Sequence, residues 1–276
     1  MPNLYIVATP IGNLEDISLR ALRILREVQL IAAEDTRKTK RLLITYNIQT
    51  PITSFHKHNT RAKTEYILGR LGEGDVALVC NAGMPGISDP GYELIEAATK
   101  QKISVVPIPG PSIVTTALVA SGLSMEKFVF TGFLPRKVND RLRLLKSIVD
   151  EIGTLVVLET PHRLPAALHD ILLILGNRKL AICRELTKIH EEIFRGTVNQ
   201  AIDHFIEPKG ELALVIDGKQ KEEKPHLTND IEQQLHQMYL SGITAKEAIA
   251  TIAGKTGLSR RELYQAWVVN NMSKIK

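Results

Sequence analysis

The loop Cys80–Gly91 reads C-N-A-G-M-P-G-I-S-D-P-G and has the composition of a ligand cradle. Glycine permits positive φ and close backbone approach, and proline fixes the chain's direction. One buried-looking acid, Asp89, sits inside the run. The loop follows an apolar stretch, Val76–Val79, and precedes an amphipathic one, Tyr92–Lys100. Open α/β sheets hold their ligands at the carboxyl ends of such strands. A tight structural turn uses the same residue types, so the loop alone leaves both readings open.

Five more polar clusters stand where strands are expected to end. T-P-I-G-N (Thr9–Asn13), E-D-T-R (Glu34–Arg37) and P-G-P-S (Pro109–Ser112) fall in the first half. E-T-P-H-R (Glu159–Arg163) and R-E-L-T-K-I-H-E-E (Arg184–Glu192) fall in the second. Any one is explained as a turn or a helix cap, with Asp35, Thr36 or Ser112 as the capping residue. Five at the carboxyl edges of the sheets point instead to a cleft shared by two α/β domains. Other familiar signals fail. Ala253-Gly254-Lys255-Thr256 imitates the end of a phosphate-binding loop, but Ile249 replaces its first glycine and the segment follows a helix. No G-x-G-x-x-G occurs, and no His/Cys/Asp cluster has metal-ligand spacing, so no metal is expected.

The elements that must carry these clusters alternate through the first third. Strands are expected at Leu4–Ala8, Leu30–Ala33, Val76–Val79 and Ile103–Ile108, and helices at Ser18–Val28, Thr36–Tyr46, Asn59–Leu71 and Tyr92–Lys100. P-G-P-S opens a further helix. This is the pattern of a parallel α/β sheet. After a pause at Ser121–Gly122, strands are expected at Phe128–Phe133, Thr154–Leu158, Leu180–Glu185, Glu192–Arg195 and Glu211–Ile216, with helices at Arg141–Val149 and Pro161–Leu175. Short connections give this region more antiparallel character. The expected organisation is an α/β domain over 1–122, a second over 123–218, a charged linker over 219–228, and a helical tail over 229–276. In the tail, Gly254–Ser259 joins two helices in a helix-turn-helix-like arrangement, with Ser259 as cap and Arg260 and Arg261 opening the second helix. Its alternative is a packing module with a core of Leu263, Trp267 and Val268.

The chain has 276 residues, long for one domain and comfortable for two. Its net charge of +5 favours an anionic partner, weakly, because solubility alone explains a modest excess. Apolar runs are too short to span a membrane, the amino terminus does not read as a secretory signal, and two cysteines in apolar runs suit a reducing cytoplasm.

Taken together, the motifs resemble the tetrapyrrole methylase superfamily over essentially the whole chain. They look most like its branch that methylates the ribose 2'-hydroxyl of a cytidine in small-subunit ribosomal RNA. Two positions depart from that pattern: Cys80-Asn81 stands where it implies Ser-Asp, and Ile113 where it implies Ala. The resemblance implies two α/β domains with S-adenosylmethionine bound between them, and a homodimer. By motif the cofactor side is Ile11 and Gly12, Ala82, Gly83, Met84 and Ile87, and Ser112 with Ile113; Glu159 and Leu186 match second-domain contacts. A ribose hydroxyl is a weak nucleophile and needs help to lose its proton. Lys188, His190, Glu185 and Glu34 are the candidates. Lys188 acts either as a base, depressed by burial near Arg184, or as a cation beside the alkoxide. Arg37, His162 and Arg163 are candidate phosphate or ribose contacts, with interdomain ion pairs as their alternative role. Six Phe and one Trp leave few stacking platforms, so recognition leans on phosphates and RNA shape. The competing readings are a methylase of a tetrapyrrole or other small molecule, and a non-enzymatic nucleic-acid-binding regulator.

Overall fold

The computed structural model describes residues 2–57, 59–220 and 226–272. Half of the expected linker, 221–225, therefore lies outside the described residues, as do the last four residues of the tail. The chain divides into two compact units, 1–219 and 220–276.

The first unit holds two five-stranded sheets. Strands β1 (Asn3–Val7), β2 (Leu30–Ala33), β3 (Ile52–Ser54), β4 (Val76–Val79) and β5 (Ser104–Ile108) form a parallel sheet in the order β3-β2-β4-β1-β5. β2 and β4 are buried at every residue, as central strands covered on both faces must be. Helices α1 (Leu19–Glu27) and α2 (Thr36–Thr45) belong to one side of this sheet, and α3 (Thr60–Leu71) and α4 (Tyr92–Lys100) to the other. α1 shows why. Ser18 caps it by accepting from Ala21 N at 3.1 Å, and Ala21, Leu22, Ile24 and Leu25 form one buried stripe. Each fully buried Leu or Ile there contributes about 1.5–3 kcal/mol.

The second sheet runs β6-β7-β10-β8-β9, from β6 (Phe128–Phe133), β7 (Thr154–Glu159), β8 (Lys179–Arg184), β9 (Glu192–Thr197) and β10 (Leu212–Ile216). β6 and β7 are parallel and the remaining pairs antiparallel. Helices α6 (Val138–Ser147), α7 (Leu164–Leu175) and α8 (Val198–His204) cover one face. The other face packs on α5 (Ile113–Ser121), together with Ile11 and Leu186. Thus α5, which precedes the sequence pause at residue 122, lies against the second sheet and ties the two halves into one body.

Among the described residues, one strand and one α-helix go beyond those expected, β3 and α8. β3 has three residues, too few for a periodicity to register. α8 is announced by a capping box in which Thr197 and Gln200 each accept from the other's backbone N–H, a T-x-x-Q signal present in the sequence.

The second unit comprises α9 (Asn229–Leu240), α10 (Ala245–Thr256) and α11 (from Arg260) around Leu235, Ile252, Leu263 and Trp267. Val268 is only half-buried. Gly257, at φ 71°, ends α10 in a left-handed cap, and Ser259 and Glu262 cap α11 reciprocally. No helix among the described residues is long and apolar enough to cross a membrane.

A buried ion pair joins two of the helices that cover the second sheet. Arg141 of α6 donates through Nε to Asp170 Oδ2 of α7 at 2.6 Å, with side-chain exposures of 5% and 16%. Removing one partner strands the other charge. Arg141→Ala is expected to cost about 3–5 kcal/mol in denaturant unfolding, well beyond a surface Arg→Ala change in the same helix.

Candidate active site

The polar clusters meet between the two sheets of the first unit. The loop after β1 and the loop after β4 are pinned by a reciprocal pair: Thr9 N donates to Gly83 O, and Gly83 N to Thr9 O, both at 2.9 Å. Thr9 Oγ1 also donates to Cys80 O at 3.0 Å, while the Cys80 thiol lies 3.3 Å from the carbonyls of Ala82 and Gly83. Gly83 and Gly86 adopt φ of 80° and 85°, a conformation that side chains resist. Glu34, at the end of β2, accepts from Asn81 N at 3.1 Å and so buttresses the same loop.

Two cavities adjoin here. The first, of about 330 Å³, lies within the range of small-molecule sites. Ile11, Ala82, Gly83, Met84, Ile87, Ser112 and Ile113 line it from one half, and Phe130, Phe133, Leu158 and Glu159 from the other. Ser112 precedes α5 without a side-chain capping bond. The second cavity, of about 480 Å³, is ringed by Lys38, Arg41 and Lys188 and includes Gly12. Ile11, Lys38, Asn81, Ala82 and Glu211 line both. Asn81 Oδ1 is buried there and has no hydrogen-bond partner among the described residues.

The strand-end loop after β8 closes the second cavity. Glu185 and Thr187 take positive φ, 51° and 66°, on either side of Leu186, which is buried in the core shared with α5. Lys188 Nζ donates to Glu185 at 3.0 Å and to Glu211 at 2.9 Å. Its partial burial alone would lower its pKa, but hydrogen bonds to Glu211 and Glu185 outweigh that and raise it above the ordinary lysine value. Of the two roles open to Lys188, the arrangement therefore supports the cation. Glu185 is held below the usual carboxylate range by the Glu211 backbone N–H and by Lys188.

The remaining candidates separate by position. Glu159 is fully buried as a side chain, accepting from Thr160 N at 2.7 Å and from Arg163 at 2.9 Å. Arg163 also donates to the carbonyls of Leu134 and Pro135, so it braces β7 and lines neither cavity. Its ion pair is with Glu159, four residues back in the same half, and not the interdomain pair expected as its alternative role. Arg37 is exposed and paired with Asp35, which caps α2 and is held down to about 2 by the Arg37 guanidinium. His162 and His190 are exposed. Glu34, Glu185 and Leu186 are structural neighbours of the cavities and line neither. Arg260 and Arg261 are exposed at the start of α11 in the other unit. Besides Lys188, the cationic residues that line a cavity are Lys38 and Arg41, from the helix after E-D-T-R. Their spacing, which puts them on one face of α2, was the available signal. Asp89 also lines the first cavity. Burial, and next the Glu34 carboxylate, push it up to about 6, against a lowering by hydrogen bonding to Cys80.

This arrangement is that of a methylase. The chain belongs to the tetrapyrrole (corrin/porphyrin) methylases, whose family model matches residues 3–202. Within that family it groups with proteins named ribosomal RNA small subunit methyltransferase I. It is 46% identical over 272 residues to the one from Halalkalibacterium halodurans, covering 96% of this chain and 94% of that protein. It is 52% identical over 223 residues to the one from Thermotoga maritima, whose whole length matches 80% of this chain. Among solved structures it shares the fold of a diphthine synthase, with a TM-score of 0.62 at 14% identity over 79% of this chain and 90% of that one.

At Gly12 the two halves approach too closely to admit a side chain. A Cβ there would sit 2.5 Å from Thr187 Oγ1 and 2.7 Å from the Leu186 carbonyl oxygen. Asn13 N also donates to Thr187 Oγ1 at 2.9 Å. Gly12→Ala is expected to force the loops apart and to lower the melting temperature by several degrees, the shift that about 1–3 kcal/mol produces in a chain of this size. Gly69→Ala, at a helical position with open space around it, is expected to leave the melting temperature unchanged or raise it.

Proposed function

We propose that the protein transfers a methyl group from S-adenosylmethionine to the ribose 2'-oxygen of a cytidine in small-subunit ribosomal RNA. The observation that carries the reading is the pairing of an apolar glycine cradle with an adjoining pocket ringed by Lys38, Arg41 and Lys188. A nucleoside cofactor suits the first and an RNA backbone the second. The names of the relatives direct the reading to ribosomal RNA rather than to a tetrapyrrole.

The cradle fits the cofactor. Ile11, Met84, Ile113 and Leu158 offer an apolar bed, and Phe130 and Phe133 offer aromatic rings. The unpartnered Asn81 Oδ1 asks for a donor, which an amino group supplies. Gly83 and Gly86 keep the backbone conformation that the cradle needs. When bound, the cofactor supplies a methyl group on a cationic sulfur, a good leaving group. The protein's task is then position and proton handling. Lys188 keeps its charge and stabilises the developing alkoxide. Lys38 and Arg41 take backbone phosphates in place of Arg163, which is committed to Glu159. Arg37 and His162, both exposed, are outer contacts.

The tail adds RNA affinity rather than chemistry, with Arg260 and Arg261 meeting phosphate. The same reading implies a homodimer working in the cytoplasm, where the two buried cysteines remain thiols.

Labelled methyl transfer to small-subunit RNA tests the function, with a target nucleotide lacking its 2'-hydroxyl as control. Transfer is expected only to the full ribonucleotide; methylation of the 2'-deoxy substrate would assign the acceptor to a base atom. Lys188→Met is expected to lower the single-turnover rate by about 10²–10³ with cofactor affinity unchanged. Deleting residues from Asn229 onward is expected to weaken RNA binding and flatten its salt dependence while leaving cofactor affinity intact. Equal RNA affinity with and without the tail would make it a packing module.

A further inference from the structure

The proposed chemistry needs a group that accepts a proton, and most of the titratable groups around the cavities are committed elsewhere. Lys188 is bridged by two carboxylates and stays protonated. Both oxygens of Glu159 are engaged, one by Thr160 N and one by Arg163. Glu211 Oε2 is held by Lys188. Glu34 holds the Asn81 backbone and lines neither cavity. Asp89 differs. It lies in the loop after β4, lines the first cavity beside Asn81 and Met84, and pairs with no basic group among the described residues.

We infer that Asp89 is the general base that takes the proton from the acceptor hydroxyl. The inference rests on the proposed ribose methylation and names the residue that carries out its proton transfer. The O–H bond breaks toward Asp89, whose carboxylate gains the proton. The freed oxygen pair forms the bond to the methyl carbon, and the pair of the carbon–sulfur bond stays on sulfur.

The surroundings suit that task. Asp89 faces the Glu34 carboxylate from the end of β2 and the Cys80 thiol from the end of β4, and it shares the cavity with Lys38, Glu159 and Glu211. Burial and Glu34 raise it to about 6, so at neutral pH it is ionised and more basic than an ordinary carboxylate. Burial keeps the Cys80 thiol protonated, so it takes no proton itself. Asp89 shares the first cavity with Asn81, Lys38 and Glu211, which line the cation-ringed pocket as well.

Asp89→Asn keeps the shape and removes the acceptor. The single-turnover rate at saturating cofactor is expected to fall by about 10²–10⁴, with calorimetric cofactor affinity unchanged. The wild-type rate should rise with pH through a midpoint near 6, and that limb should vanish in Asp89→Asn. A readout independent of turnover is the Asp89 carboxyl-carbon NMR titration of the unloaded protein. Its midpoint should lie near 6 and move down in Glu34→Gln, which removes the neighbouring charge. A normal rate in Asp89→Asn, or a limb that survives in it, overturns the assignment. If Asp89→Asn does not fold, a wild-type NMR midpoint near the ordinary 3.8 overturns it instead. Wild type acting on a 2'-deoxy target defeats the ribose reading itself. Wild type that requires the 2'-hydroxyl, alongside a fully active Asp89→Asn, defeats Asp89 alone.

Discussion

The two backbone hydrogen bonds between Thr9 and Gly83 are the constraint on which the site depends. They lock the loop after β1 to the loop after β4, which are neighbouring strands of the parallel sheet. Both cavities take walls from these two loops. Gly83 can make the pair because it accepts φ of 80°, and Thr9 because its hydroxyl reaches Cys80 O in an otherwise buried setting. The cradle is therefore set by main-chain geometry that the sheet imposes. Side chains on the second sheet then complete it. Such a scaffold keeps its binding loops rigid while leaving their side chains free to vary.

The second half is held against this frame by covalent continuity through α5 and by the strained loop after β8. Positive φ at Glu185 and Thr187 has an energetic cost, since neither is glycine. Packing of Leu186 against α5 and the β-sheet core offsets that cost, and so do the bonds that Glu211 N donates to Glu185 and Asn13 N donates to Thr187. The result places Lys188 at the cavity wall with its ammonium pinned between two carboxylates. A lysine free in solvent would lose more rotamer entropy when engaging an alkoxide. Here that ordering is already complete in the fold.

The sequence made the architecture legible because strand and helix periods alternate cleanly and the polar clusters recur at strand ends. Tyr92–Lys100 and Phe128–Phe133 were read to the residue. The loops that line the cavities were legible for the same reason: glycine and proline between apolar runs mark strand-end loops. Which individual polar side chains reach the cavities was not. Arg163 and Lys38 look alike in sequence, each a cation just beyond a strand end. Only burial separates them, one bonded to Glu159 beneath β7 and the other at the cavity wall. Likewise Glu34 and Asp89 are both acids in strand-end loops. Which of them supports the backbone and which faces the cavity is decided by contacts such as that between Glu34 and Asn81, far apart in the chain, over which local pattern carries no information.

The departure at Cys80-Asn81 bears on the same electrostatics. A carboxylate at position 81 would join Glu34 and Asp89 in one small volume, and a further like charge there raises the Asp89 pKa more. With asparagine, the backbone N–H of residue 81 still anchors Glu34, while the side chain keeps a neutral acceptor at the seam of the two cavities. Cys80 does the complementary thing. A thiol is a weak donor that is content in an apolar wall, so it sits against the Ala82 and Gly83 carbonyls without demanding water. The pair thus lowers the negative charge around Asp89. That leaves the acid ionised near neutral pH, whereas a third carboxylate would push its titration further into the working range and reduce the fraction able to accept a proton.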